Sequence, residues 1–141
     1  MRQPFTVIVG AWRQLAEQAA AVRHDVFVQE QKVPLELELD EHDPIAIHAV
    51  AVDGVQAIGT GRLLPDAHIG RMAVLRSFRG RGAGALILAT LIHEAQRRGD
   101  PWVLLAAQRQ AQAFYRQYGF VAEGQPFMDA GIVHVMMRKV F

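Results

Sequence analysis

Cysteine is absent from the 141 residues, which removes disulfides, thiolate metal sites and a cysteine nucleophile in one step. No apolar run approaches the roughly 18 residues of a spanning helix, and the first residues lack a charged segment followed by an apolar core. The expectation is a soluble, untargeted protein suited to the cytoplasm. An excess of one charge is missing as well, because 15 Lys and Arg stand against 14 Asp and Glu for a formal net charge of +1. That balance gives no general electrostatic case for a nucleic acid or membrane partner. The six histidines are scattered, and His93-Glu94 has Arg97 where a zinc-protease helix needs its second histidine, so no metal site is expected. Internal repeats, linkers and low-complexity tracts are also lacking. What remains is an ordinary globular composition, 51% hydrophobic and 21% charged, of a length for one domain, 1–141, built as two packed layers.

Along the chain, Phe5 to Val9 reads as a first strand broken at Gly10, and Trp12, Leu15, Ala16, Ala19, Val22, Val26 and Phe27 trace one helix face. Pro34 interrupts that pattern. Glu36, Glu38, Asp40, Glu41 and Asp43 then crowd five carboxylates into eight residues. Ile45 to Val52 and Val55 to Leu64 read as antiparallel strands joined at Asp53-Gly54, with Gly59 and Gly61 marking weakness, a bulge or a close approach. His68 to Leu75 completes a meander. Ala85 to Arg98 has a strong helical stripe ended by Gly99, and Trp102 to Ala107 is a continuously apolar strand of the kind covered on both faces. A second helix carries Ala111, Phe114, Tyr115 and Tyr118 and ends at Gly119. Phe120 to Ala122 and Ile132 to Val140 supply the last strands, joined across Gln125-Pro126. The pattern predicts an α/β (α+β) fold, a mixed and mostly antiparallel sheet of about six to seven strands flanked by helices.

The organising stretch is Met72 to Ala85, MAVLRSFRGRGAGA, in which an apolar strand runs into a glycine turn and then a helix. Glycines allow close backbone approach, and the unpaired N–H groups of a helix start favour phosphate oxygens. Arg79 and Arg81 add positive charge there, although an ordinary basic turn would read the same way. Gly80 to Ala85 also satisfies G-x-G-x-x-G/A, but a dinucleotide fold needs an acidic residue about 20 positions on, where this chain has Leu104 and Leu105. A phosphate-loop nucleotidase is excluded because no G-K-[ST] follows.

Arg79 to Gly84 resembles the R/Q-x-x-G-x-G/A signature of the GNAT superfamily of N-acyltransferases. Tyr115-Arg116-Gln117-Tyr118-Gly119-Phe120 is similar to that superfamily's Y-x-x-x-G-F pattern. Val26 to Gln31, the acidic run and Gly131 to His134 resemble its small bacterial ElaA-like branch. The likeness spans nearly the whole chain. It implies a fold whose fourth and fifth strands splay into a V holding the pantetheine arm, and acetyl transfer from acetyl-CoA to a primary amine of a small molecule or peptide. A non-catalytic acyl-CoA-binding module is the alternative reading, and a homodimer is among the assemblies left open.

The resemblance implies that Arg79, Gly80, Arg81, Gly82, Ala83 and Gly84 hold pyrophosphate. Met72, Ala73 and Val74 would offer strand-edge backbone to pantetheine, with an N–H near Val74 polarising the thioester carbonyl. Tyr115 matches the tyrosine that protonates the leaving thiolate, while from spacing alone it is a core residue of an amphipathic stripe. Gln108 stands where the superfamily often has asparagine. His134 and Glu30 are candidate bases, with Asp40 and Glu41 beside them, and water is an alternative proton relay. The acidic run reads either as a solvated face or as an entrance that steers a cationic amine.

Overall fold

Alternating apolar residues build one seven-stranded sheet in the order β1-β2-β3-β4-β5-β7-β6. In the computed structural model the described residues are 5–38 and 40–141, with only the backbone given for Glu36 and Leu37. The elements are β1 (Thr6–Ala11), α1 (Trp12–Arg23), a π-helical segment (His24–Glu30), α2 (Leu35–Glu38), β2 (Ile47–Asp53), β3 (Gln56–Leu63), β4 (His68–Val74), α3 (Ala83–Arg98), β5 (Trp102–Gln108), α4 (Gln112–Gln117), β6 (Val121–Asp129) and β7 (Ile132–Val140). Only β4 and β5 run parallel among the paired neighbours. The expected mixed, mostly antiparallel sheet is therefore present.

Helices cover the middle of the sheet on both faces. Leu15 and Ala19 of α1 bury against Val50 and Val52, while Ile87, Leu88 and Leu91 of α3 join the larger cluster with Ala49 and Ala51. Alternation along β2 thus feeds two cores. The glycines of β3 let α3 sit close: a Cβ on Gly61 would lie 2.6 Å from Met72 Sδ and 3.0 Å from Ile87 and Leu91. Of the readings for Gly59 and Gly61, close approach is met directly, and register shifts also flank them.

Four local expectations are corrected. The helix face from Trp12 to Phe27 is two segments, because α1 stops at Arg23 and the chain widens into π-helix through Glu30. In the first hairpin Asp53 pairs with Gln56, so Gly54 and Val55 are the loop residues, with Gly54 at φ 65. Gln125-Pro126 lies inside β6 rather than in a connection, since proline is tolerated on an edge strand beside the register shift between Glu123 and Phe127. Positive φ at Ala130 and Gly131 makes the actual turn. Finally, β5 is covered on one face only: Val103, Leu105 and Ala107 are buried, whereas Trp102 and Ala106 are exposed. No described helix covers that second face.

Candidate active site

The sheet opens where β4 meets β5. Their parallel ladder has two pairs, His68 with Leu104 and Ile69 with Leu105, and ends there. Beyond Ile69 the strands part, leaving the β5-facing backbone edge of β4 without a ladder partner through Val74. A cavity of about 930 Å³ fills the gap and reaches both faces of the sheet. The expected V is thus formed, and Met72, Ala73 and Val74 line the cavity along this edge.

On the α3 face, Gly82 caps α3 at φ 87 and Gly80 has φ 78. A Cβ at either position would meet nothing within 4 Å, so the turn is open to a ligand. The helix starts at Ala83, two residues before the expected Ala85, and its first N–H groups lack intrahelical partners. Gly80, Gly82, Ala83 and Gly84 line the cavity together. This cradle fits a pyrophosphate: unpaired donors, a helix dipole and no side chain in the way.

The two arginines are placed differently from expectation. The Arg81 guanidinium stacks over Phe5 and Phe78, 5.3 Å from each ring, instead of lining the cavity. Arg79 lines it, but gives its Nη1 and Nη2 to Glu30 at 2.8 and 2.6 Å and its Nε to the Val74 carbonyl at 2.9 Å. Its charge is matched before any phosphate arrives. The same pair corrects Glu30 as a base, because hydrogen bonding to Arg79 holds its carboxyl below the usual range and weakens it as a proton acceptor.

Tyr115 stands on α4 beside the glycine turn, in the cavity wall. It is 8% exposed, packed edge-on to Phe114 and Phe120. It belongs to the core cluster and also lines the cavity. Burial pushes its phenol up to about 12.

On the other face, alternation sets Ala106 and Gln108 of β5 beside Met136 and His134 of β7, away from the buried Leu105, Ala107, Val135 and Met137. His134 Nδ1 lies 2.8 Å from the Ile132 carbonyl. A carbonyl only accepts, so Nδ1 is the donor in this contact, and Nε2 is the nitrogen that carries the lone pair in the neutral imidazole. Gln108 donates Nε2–H to Gln31 Oε1 at 3.0 Å across the cavity. The longer amide in the asparagine position therefore reaches Gln31, the residue that caps the end of the π-helical segment. In the sequence Gln31 stands out only as the end of the stretch from Val26.

Within the acidic run, Glu38, Asp40 and Asp43 pair with arginines instead of forming a solvated face or an open entrance. Arg23, 1% exposed, is clasped between Glu38 and Asp43, which are 3% and 1% exposed. Asp40 receives Arg62 at 2.8 Å and Arg71 at 2.9 Å. Burial pushes Asp40 up, yet the hydrogen bonds and charge of these arginines outweigh it and hold its carboxyl at about 2. Asp40 is also absent from the cavity lining. Glu41 is exposed, and the side chain of Glu36 lies outside the described residues. Arg23, Arg62 and Arg71 are too scattered in sequence for this clustering to be read there.

A family model described as an acetyltransferase (GNAT) domain matches residues 13–141. The chain belongs to the GNAT family. Among GNAT relatives, the uncharacterized N-acetyltransferase YjcF of Bacillus subtilis is 40% identical over 122 residues, covering 84% of this chain and 87% of that protein. An acyl-CoA N-acyltransferase structure from Pseudomonas aeruginosa superposes with a TM-score of 0.86 at 29% identity, covering 96% of this chain and 99% of that one. Escherichia coli ElaA shares the GNAT fold with a TM-score of 0.86 at 22% identity, over 95% of this chain and 99% of its own. Acyl transfer is the general chemistry of this family, and among the described residues no cluster of His, Asp or Glu could hold a metal ion.

Proposed function

We propose that residues 1–141 form one cytoplasmic acetyltransferase unit that moves an acetyl group from acetyl-CoA to a primary amine by direct attack in a ternary complex. The carrying observation is the cavity through the V, which has the glycine turn and Tyr115 at one face and Gln108 and His134 at the other. Coenzyme and amine can then enter from opposite sides and meet at the strand gap. The Gly80–Gly84 turn would hold pyrophosphate and the β4 edge the pantetheine amides, with Gln108 beside the arm.

His134 Nε2 takes a proton from the amine as its nitrogen attacks the thioester carbonyl, and a β4 N–H near Val74 steadies the oxyanion. The C–S bond breaks with its electron pair going to sulfur. Tyr115 donates its O–H to that sulfur, and the phenolate, a strong base with a phenol pKa of about 12, regains a proton from solvent. Amine and thioester become amide and thiol. Glu30 has a structural part, bracing Arg79.

The non-catalytic alternative keeps the coenzyme site without turnover. A screen of small amines with acetyl-CoA, reading free thiol, decides between them. Amine-dependent thiol release supports the enzyme, and saturable acetyl-CoA binding without release from any amine supports the binding module.

A further inference from the structure

The amine-binding half of the cavity carries a charge pattern opposite to that expected from the acidic run. Arg71 sits on β4 at φ 50, in a register irregularity where two β4 residues face one of β3. Arg71 bonds Glu38 and Asp40, and Glu38 holds Arg23 of α1, which places Arg71 on the α1 face, the face of Gln108 and His134. The Arg71 side chain is 27% exposed and lines the cavity. It donates Nε–H to the Glu38 carbonyl and Nη2–H to Asp40.

Behind Arg71 stands a buried array in which Arg23, Arg62 and Arg71 balance Glu38, Asp40 and Asp43. The balance is not even in direction. Arg62, Arg71 and Glu38 reach the cavity wall, whereas Asp40 and Asp43 do not. From this array the wall therefore receives two guanidinium groups and one carboxylate, and Glu38 is itself 3% exposed and bound to Arg23. Across the cavity, Asp129 and His134 line the β6–β7 side. Val33, Leu64 and Ile69 add apolar wall near the arginines.

The geometry points to an acceptor that is a small amine bearing a carboxylate, its carboxylate at Arg71 and its amine toward His134 and Asp129. A guanidinium charge recognises a carboxylate by charge-assisted hydrogen bonding, here in addition to the bonds Arg71 makes to Glu38 and Asp40. The carboxylate of Asp129 favours the incoming ammonium, which gives one proton to solvent before attack, and Nε2 of His134 takes the second proton as the amide forms. The assignment rests on the acetyl-transfer reading and narrows its acceptor.

The test compares amino acids with their carboxamides as acceptors for the wild type, Arg71→Met and Arg71→Lys, with acetyl-CoA affinity measured in parallel. Amine basicity differs between acid and amide, but it cancels when each pair's ratio of kcat/KM is compared between variants. Arg71→Met should lower kcat/KM for the acids by roughly 10-fold or more, the scale of a hydrogen bond to a charged group, and leave the amides within about 3-fold. Arg71→Lys should restore part of the acid preference. Equal losses for acids and amides, or a wild-type preference for amides after correction for neutral amine, overturn the assignment. So does acetyl-CoA binding with no turnover of any acid. Failure of acetyl-CoA to bind the folded wild type instead removes the acetyl-transfer reading itself.

Discussion

Gln31 and Gln108, 77 residues apart in sequence, exchange side-chain amide hydrogen bonds of 3.0 and 3.4 Å across the V. Gln110 adds a 2.7 Å bond to the same Gln108 oxygen. The clasp fixes the Gln108 amide by one partner on the π-helical side and another on its own loop. Shortening it by one methylene in Gln108→Asn withdraws the amide from Gln31. Acetyl-CoA affinity is expected to fall about 5-fold, the worth of one net hydrogen bond, and Gln31→Ala should produce a similar loss. Calorimetric titration reads both, and unaltered affinity in the two variants removes the clasp from the coenzyme site.

Gly82 and Gly99 offer a matched pair at the two ends of α3, with φ of 87 and 90. A side chain at either is strained by about 1–2 kcal/mol in the left-handed region, yet neither would meet a neighbour within 4 Å. Gly82→Val and Gly99→Val should therefore lower stability alike in urea titrations. Only Gly82→Val should abolish saturable acetyl-CoA binding, because its side chain stands where pyrophosphate must approach. Equal affinities in the two folded variants would falsify the phosphate cradle.

Tyr115→Phe should keep the aromatic packing on Phe114 and Phe120 and the coenzyme affinity, while kcat falls about 10²-fold or more. Tyr118→Phe should be mild. Burial has raised the Tyr115 phenol from 10.0 to about 12. The folded state thus holds this proton more tightly than the unfolded state, and the associated stability is complete below pH 10 and lost as pH rises toward 12. Denaturation curves over that window should be less alkali-sensitive for Tyr115→Phe than for wild type. A wild-type kcat in Tyr115→Phe, with chemistry rate-limiting, removes the hydroxyl from the mechanism.

Arg23 holds Glu38 and Asp43 where water scarcely reaches them. Arg23→Ala leaves two buried carboxylates short of a partner and should cost about 3–5 kcal/mol, whereas Glu41→Ala on the exposed surface should stay within about 0.5 kcal/mol. Thermal denaturation compares them. The depressed Asp40 adds an acid limb of known sign: its contribution is present above pH 3.8 and disappears as pH falls toward about 2. Asp40→Asn should flatten that limb, and an acid limb as steep as wild type in this variant counts against the ion-pair assignment.

Local chemistry alone determined most of the sheet, the glycine turn and the long helix ended by Gly99, because strand alternation, helical stripes and glycine's access to positive φ are properties of neighbouring residues. The same local signals brought the Gly80–Gly84 turn into view, while resemblance to the GNAT superfamily marked Tyr115 and Gln108. Tertiary structure decided what those groups meet. Pro126 reads as a break in sequence, and only the position of β6 at the sheet edge makes it a strand residue. The run from Trp102 to Ala107 reads as doubly covered, and only the lack of a described helix over one face turns that surface into a cavity wall. The carboxylates from Glu38 to Asp43 read as a surface feature, yet three arginines from α1, β3 and β4 converge on them in space. Charge pairing across the sheet depends on distance through space, which spacing along a chain does not encode. Burial then fixes the outcome, since desolvated charges persist only with partners in reach.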